Sequence, residues 1–356
     1  MPHKKKVLID LTNYGKLTSG FGQIATNYAS FFSRKEIGAD LQFVYLLPKN
    51  CHNDFGDHIT CVRANTMHKL FPFLLPKVDL WHTVNQQRKL LRLNGNTKYI
   101  FTIHDFNFLT EKKPWKAKLY LQRMQQRADK ATVVTAISHY VAGVVNDVID
   151  LKGKEIRVIY NGVERIDHLE GKAPSFVVKN RPFFFAIGQI RRKKNFHLLV
   201  EMMKFFPGYD LYICGDTHFE YARQIEQMIT EKKITNAYLA GSITQEEKIW
   251  LYKNSSAFLF PSEGEGFGLP AIEAMQFGKA VFIANKTSLP EICSGHALIW
   301  ENLLPEDMAK LVKDNLPNFY LDEERINRVK EHAQSFSYEK HVNAYLKLYE
   351  ELLQSF

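Results

Sequence analysis

What most restricts the fold of this chain is a rhythm. Twelve short runs of apolar, β-branched and aromatic residues recur along it, each followed by a polar turn and then a helix-like stretch. Six lie in the first half: KKVLIDL (5–11), LQFVYLL (41–47), VDLWHT (78–83), KYIFTIHD (98–105), ATVVTAIS (131–138) and IRVIYNG (156–162). Six more follow: PFFFAIG (182–188), DLYICG (210–215), NAYLAGS (236–242), SAFLFPS (256–262), AVFIAN (280–285) and ALIWEN (297–302). The runs are continuous rather than alternating. Strands covered by helices on both faces need that pattern, so it predicts parallel sheets and the α/β class.

Between the two series lies ERIDHLEGKAPSFVVKNRP (164–182), which is polar, holds Gly171, Pro174 and Pro182, and keeps no period. A chain of 356 residues is also long for one core. Two doubly wound, Rossmann-like domains are therefore expected, 1–170 and 171–335, in preference to a single eight-unit barrel. In residues 336–356, Tyr338, Val342, Tyr345, Leu348, Tyr349 and Leu352 have the spacing of an amphipathic helix. It should act as a closing brace able to cross back to the N-terminal domain.

At 45% hydrophobic residues the chain can fill two cores, yet no segment approaches the roughly 18 uninterrupted apolar residues of a spanning helix. MPHKKKVLIDL contains Asp10 and no small-residue cleavage site, so it reads as a first strand and the chain as cytoplasmic. Four scattered cysteines without ligand spacing argue against a disulfide frame or a structural zinc. The net charge of +9 favours an anionic partner: nucleotide phosphates, anionic lipid or nucleic acid. The last is weakest, since the basic residues form no recognisable nucleic-acid module.

The stretch PSEGEGFGLPAIEAM (261–275) sets acids around a glycine loop that opens a helix. Pro270 suits a first helical turn, where its missing N–H goes unneeded. Gly266, Phe267, Gly268 and Leu269 then lie at the positive end of the helix, a cradle for phosphate. A carboxylate accepts two hydroxyl hydrogen bonds, so Glu273, inside the helix, is placed to hold a ribose diol. Glu265, eight positions earlier, can grip hydroxyls of a sugar attached to the phosphate. The rival reading is a helix start carrying acids only for its dipole.

GEGFGLPAIEAMQFGKAVF (264–282) resembles the E-x7-E signature of the retaining glycosyltransferases of family 4. SGFGQIATNYASFF, TIHDFNFL, VIYNGV, RKKNFHLLVEMM and TSLPEI resemble further segments of that family, in order along nearly the whole chain. The resemblance implies the GT-B fold, two Rossmann-like domains facing a cleft, with the acceptor on the first and the donor on the second. It implies a hexosyltransferase moving sugar from a nucleotide diphosphate sugar to a glycan or lipid-linked acceptor, with retention, as in cell-surface polysaccharide biosynthesis. Peripheral contact with the inner face of the membrane would suit such an acceptor.

By the same resemblance, Gly20 and Gly22 form a loop near the donor diphosphate or the acceptor, and His104 lies close to the transferred sugar. Lys194 aligns with the family lysine that meets the leaving diphosphate. Many relatives carry Arg where this chain has Gln189, so Arg192 or Arg191 is expected to supply the second cation. Asp105 reads equally as a cap, and Asn161-Gly162 as a turn. The basic, aromatic run KKPWKAKLYLQRMQQR (112–127) is a solvated helix face or a site for anionic lipid or a glycan. No D-x-D occurs in the chain, so neither a metal nor any other cofactor is expected. Alternatives are a GT-B epimerase or phosphorylase, a glycoside hydrolase built on paired carboxylates, and a non-catalytic sugar-nucleotide binding module.

Overall fold

The computed structural model describes residues 4–16, 20–34, 40–52, 55–87, 90–178 and 180–354. Ser19, at the head of the first glycine segment, and residues 355–356 lie outside them. The first sheet contains β1 (Lys5–Asp10), β2 (Leu41–Pro48), β3 (Thr60–Ala64), β4 (Leu80–Thr83), β5 (Lys98–Ile103), β6 (Val133–Ala136) and β7 (Ile156–Val158). Its strand order is β3-β2-β1-β4-β5-β6-β7, and every pair is parallel. The second contains β8 (Phe183–Ile187), β9 (Asp210–Cys214), β10 (Ala237–Gly241), β11 (Ala257–Phe260), β12 (Val281–Ala284) and β13 (Leu298–Trp300), in the order β10-β9-β8-β11-β12-β13 and again all parallel. Each apolar run holds one of these strands. The strand without such a run is β3, TCVRA, an edge strand with no fully buried residue.

Both sheets reverse direction once, between β1 and β4 and between β8 and β11. Loops leaving the carboxyl ends of strands at such a switch point diverge and leave a crevice, which is where open α/β sheets bind ligands.

The chain divides into two units, 1–162 with 338–356, and 163–337. The change falls at Gly162–Val163 rather than at 170, because the residues after it bond into the second unit. Gln276 clasps them, accepting from Ile166 N–H at 2.9 Å and donating to Glu164 C=O at 2.8 Å.

The final helix, Tyr338–Gln354, belongs to the first unit and buries Tyr338, His341, Val342, Tyr345, Leu348, Tyr349 and Leu353. It shares one core with the helix Gly20–Phe32 and with Val7, Ile9, Tyr45, Leu80 and Ile100 of the sheet. Its buried polar atoms have partners, as burial demands. His82 meets Tyr349 OH at 2.6 Å and Thr102 Oγ1 at 2.8 Å, and Tyr345 OH lies 3.1 Å from both Thr102 and Thr135. His341 Nδ1–H donates to Tyr160 C=O at 2.5 Å, which leaves Nε2 to accept from Tyr28 OH at 2.7 Å. Such a network fixes the helix in rotation as well as in depth.

Candidate active site

In the second unit, β11 ends at Phe260 and a loop runs to the helix Leu269–Gln276, with Pro270 in its first turn. Gly268 caps that helix at φ 109°, a backbone region that side chains disfavour, and a Cβ there would lie 2.6 Å from Leu289. Ser288 Oγ stands 3.0 Å from Glu265 C=O and 3.1 Å from Phe267 C=O, and Glu265 N–H donates to Thr287 Oγ1 at 3.3 Å. The loop is therefore held in shape from the next strand's turn. Phe267, inside the expected cradle, has its ring buried and edge-on to Phe336 at 5.4 Å, so its side chain anchors the loop.

The neighbouring strand β8 delivers Lys194 through the turn Arg192–Lys194. That turn is sewn to the glycine loop: Glu263 N–H donates to Lys193 C=O at 2.8 Å and Asn195 Nδ2 to Pro261 C=O at 3.2 Å. Lys194 Nζ consequently reaches Glu265 Oε1, which also accepts from Ser262 Oγ at 2.6 Å. The lysine and glutamate side chains are only 10% and 15% exposed, and the ammonium lies 4.6 Å from the Phe260 ring. Arg192 opens the turn with an exposed side chain, and Arg191 stacks over Phe219 at 4.1 Å.

Glu273 faces a different helix. Lys248 Nζ meets its Oε1 at 3.0 Å and Tyr252 OH donates to its Oε2 at 2.9 Å. Both partners stand on one face of the helix Gln245–Asn254, four residues apart, and a capping box fixes where that helix starts. Burial, and next the Glu273 charge, push the Tyr252 hydroxyl well above its usual range, so it stays a donor. Sequence reasoning missed Lys248 and Tyr252. A lysine and a tyrosine at i and i+4 on the helix feeding β11 were the available signal.

In the first unit, His104 follows β5 and is buried. Its Nε2–H donates to Val84 C=O at 2.7 Å and its backbone N–H to Gln86 Oε1 at 2.6 Å. Burial, opposed by the Val84 bond, lowers its pKa to about 4. The ring is therefore neutral at pH 7 with its proton committed to Val84, and Nδ1 is the acceptor. It offers a lone pair to a hydroxyl and cannot act as an acid.

Gly20 and Gly22 lie in the first turn of the helix Gly20–Phe32, not in the loop that the resemblance implies. Gly22 is needed for close approach, since a Cβ there would fall 1.9 Å from Lys16 C=O. Phe21 between them meets His104 edge-on at 4.9 Å, so the helix start and the histidine form one cluster. Gln86, also missed from sequence, ties it to Asp105 by donating to that residue's C=O at 2.7 Å. Asp105 Oδ1 accepts from Asn107 N–H at 3.0 Å, the turn-capping role.

Among the described residues no group of three or more His, Cys, Asp or Glu is placed to hold a metal, and no helix is long and apolar enough to cross a membrane.

Residues 44–165 match the family model for Glycosyltransferase Family 4, and residues 170–336 that for Glycosyl transferases group 1. A Klebsiella pneumoniae protein described as an uncharacterized 41.2 kDa protein in cps region is 28% identical over 268 residues, 71% of this chain and 70% of that one. The O-antigen chain mannosyltransferase RfbU of Salmonella typhimurium is 27% identical over 202 residues, 55% of each chain. Among solved structures, Anabaena HepE in complex with UDP and glucose aligns with a TM-score of 0.70 over 99% of this chain and 100% of that one, at 16% identity.

Proposed function

Because this chain belongs to the family 4 type of glycosyltransferases of GT-B fold, as a hexosyltransferase of cell-surface polysaccharide synthesis, we propose that it transfers a hexosyl group from a nucleotide diphosphate sugar to a glycan or lipid-linked acceptor, with retention, on the cytoplasmic side of the membrane. The observation that carries this reading is Lys194 held on Glu265 beside the start of the helix Leu269–Gln276, at the switch point of the second sheet. Binding a diphosphate there gives the ammonium a second anion to pair with. Helix amides Leu269 and onward supply dipoles aimed at the same charge.

In the reaction the bond between the anomeric carbon and the diphosphate oxygen breaks, and a bond from that carbon to the acceptor oxygen forms. The acceptor proton leaves with the diphosphate. Charge builds up on the leaving group, and a preorganised cation is worth most where it meets developing charge in a site shielded from water. Lys194 fills that role and Arg192 is the second candidate. The sequence has no D-x-D to hold a metal, so the reading routes no charge through one. Glu273, with each oxygen already oriented, holds the ribose, and Glu265 holds hydroxyls of the sugar. His104 accepts a hydroxyl through Nδ1.

The test is a screen of UDP-, GDP- and ADP-sugars for thermal stabilisation of the protein, followed by incubation with the stabilising donor and a lipid-linked glycan. Anomeric analysis of the product by NMR should show retention. An inverted linkage, an isomerised sugar nucleotide or no turnover with a tightly bound donor would each replace this reading.

A further inference from the structure

Among the described residues, six other than glycine have a positive φ: Lys152, Asn180, Asn195, Lys233, Thr287 and Ser294. Lys152, Asn180, Lys233 and Ser294 stand exposed in turns. Asn195 is buried and Thr287 half-buried, and each is bonded into the candidate site. Thr287, at φ 54°, is also the β-branched member of the set, and a branched Cβ makes the left-handed region costly. Glycine would take that conformation without strain.

What Thr287 has and glycine lacks is Oγ1, which accepts from Glu265 N–H at 3.3 Å. Ser288 beside it donates Oγ–H to Glu265 C=O at 3.0 Å, so two consecutive side chains grip the backbone of Glu265 at both of its polar groups. Asn195 serves Lys194 in the same way. At φ 52° and ψ 28° it turns the chain directly from Lys194 into the helix Phe196–Met202, a conformation asparagine enters more readily than most residues. Its Nδ2 donates to Pro261 C=O at 3.2 Å, next to Ser262, whose hydroxyl holds Glu265 Oε1. The Lys194 stem reaches that carboxylate over bare backbone, for a Cβ on Gly188 would lie 3.2 Å from Lys194 Cε.

We infer that Asn195 and Thr287 are positioning residues of the transfer, two left-handed pins that hold Lys194 and Glu265 in register with each other. Lysine and glutamate side chains are flexible, and misplacing a reacting group by about 1 Å can cost about 100-fold in rate. The pins act through Lys194 and Glu265, so their effect falls on turnover rather than on nucleotide affinity. The inference rests on the transferase reading for the role of that pair, though not for its geometry.

The experiment joins steady-state kinetics with the stabilising nucleotide sugar to a second measurement on the full chain, the rate at which the N-hydroxysuccinimide ester of acetate acetylates Lys194, read by mass spectrometry. Thr287→Gly relieves the strain and removes Oγ1, while Asn195→Gly keeps the left-handed turn and removes the amide. Each should lower kcat about tenfold or more with donor KM unchanged. Lys194, whose side chain is only 10% exposed in its ion pair, should be acetylated about threefold faster in both. Thr287→Ser, which keeps the oxygen, should recover most of the lost rate. Lys233→Gly relieves a left-handed residue in an exposed turn and should leave Lys194 acetylation as in wild type.

Wild-type acetylation of Lys194 in both site variants would overturn the inference, as would a wild-type kcat despite faster acetylation. So would a Thr287→Gly chain that loses urea stability along with its rate, since that marks a plain structural role. A wild type that transfers no sugar retires the transferase reading instead, and the acetylation rates then decide the pins alone.

Discussion

Lys248 and Glu273 are an ion pair at 3.0 Å, with side chains only 11% and 15% exposed. Tyr252 takes the second carboxylate oxygen, so both oxygens of Glu273 are aimed before any ligand arrives. A carboxylate oriented this way loses little freedom on binding a diol, which is how preorganisation raises affinity.

Lys248→Met should therefore weaken nucleotide binding about tenfold, equivalent to about 1.4 kcal/mol, while turnover at saturating donor changes little. Tyr252→Phe should give a smaller loss in the same direction. Titration calorimetry with the free nucleoside diphosphate checks both. Unchanged affinity in the lysine variant would mean that the pair only supports the helices.

Glu265→Gln keeps the acceptor oxygen for Ser262 but removes the charge that holds Lys194. If the pair works on the transferring sugar and its leaving group, kcat should fall by about 100-fold or more, with nucleotide affinity altered far less. Glu273→Ala should show the reverse split. Steady-state kinetics beside equilibrium binding distinguish the two carboxylates, and identical behaviour of both variants would remove their separate assignments.

Acid should destabilise the first unit before any carboxylate matters. His104 and His341 are each lowered to about 4 by burial, and His82 is lowered well below its usual range for the same reason. The unfolded chain, with ordinary histidines near 6.5, binds more protons than the folded one between these values, so stability rises with pH across that window. For His104 and His341 it is fully present above about 6.5 and lost as pH falls toward 4, by about 3 kcal/mol for each of the two once both forms are protonated. Urea unfolding at pH 7.5 and pH 5 measures the slope. His341→Gln should flatten it, and an unaltered slope in that variant would exclude His341 as a contributor.

The twelve strand positions were legible because a strand buried on both faces leaves a continuous apolar run that little else in a soluble chain imitates. β3 was not, since TCVRA is half-exposed at a sheet edge and its signal is diluted by Thr60 and Arg63. The Gly20–Phe21–Gly22 segment misled in the other direction. Glycine is a poor helix former, yet here Gly22 is required by the nearness of Lys16 backbone, a contact with no local signature. The glycine loop and Lys194 were associated in advance through the family resemblance, and in the fold they follow neighbouring strands, β11 and β8. Lys248 and Tyr252 were not, because what recruits them to Glu273 is the packing of one helix on another.

The hydroxyl of Tyr349 offers the most direct test of why the last helix lies where it does. Its bond to His82 Nδ1 at 2.6 Å joins the end of the chain to the middle of the first sheet. Tyr349→Phe keeps the ring and its packing but leaves a fully buried imidazole nitrogen without that partner, and such stranding costs about 1–3 kcal/mol. Apolar burial alone would barely register the change, because the phenyl ring fills nearly the same volume. The expected result is a lower urea midpoint at unchanged m-value, with nucleotide affinity of the second unit intact. A variant as stable as wild type would show that hydrophobic packing, and not the buried polar network, fixes this helix.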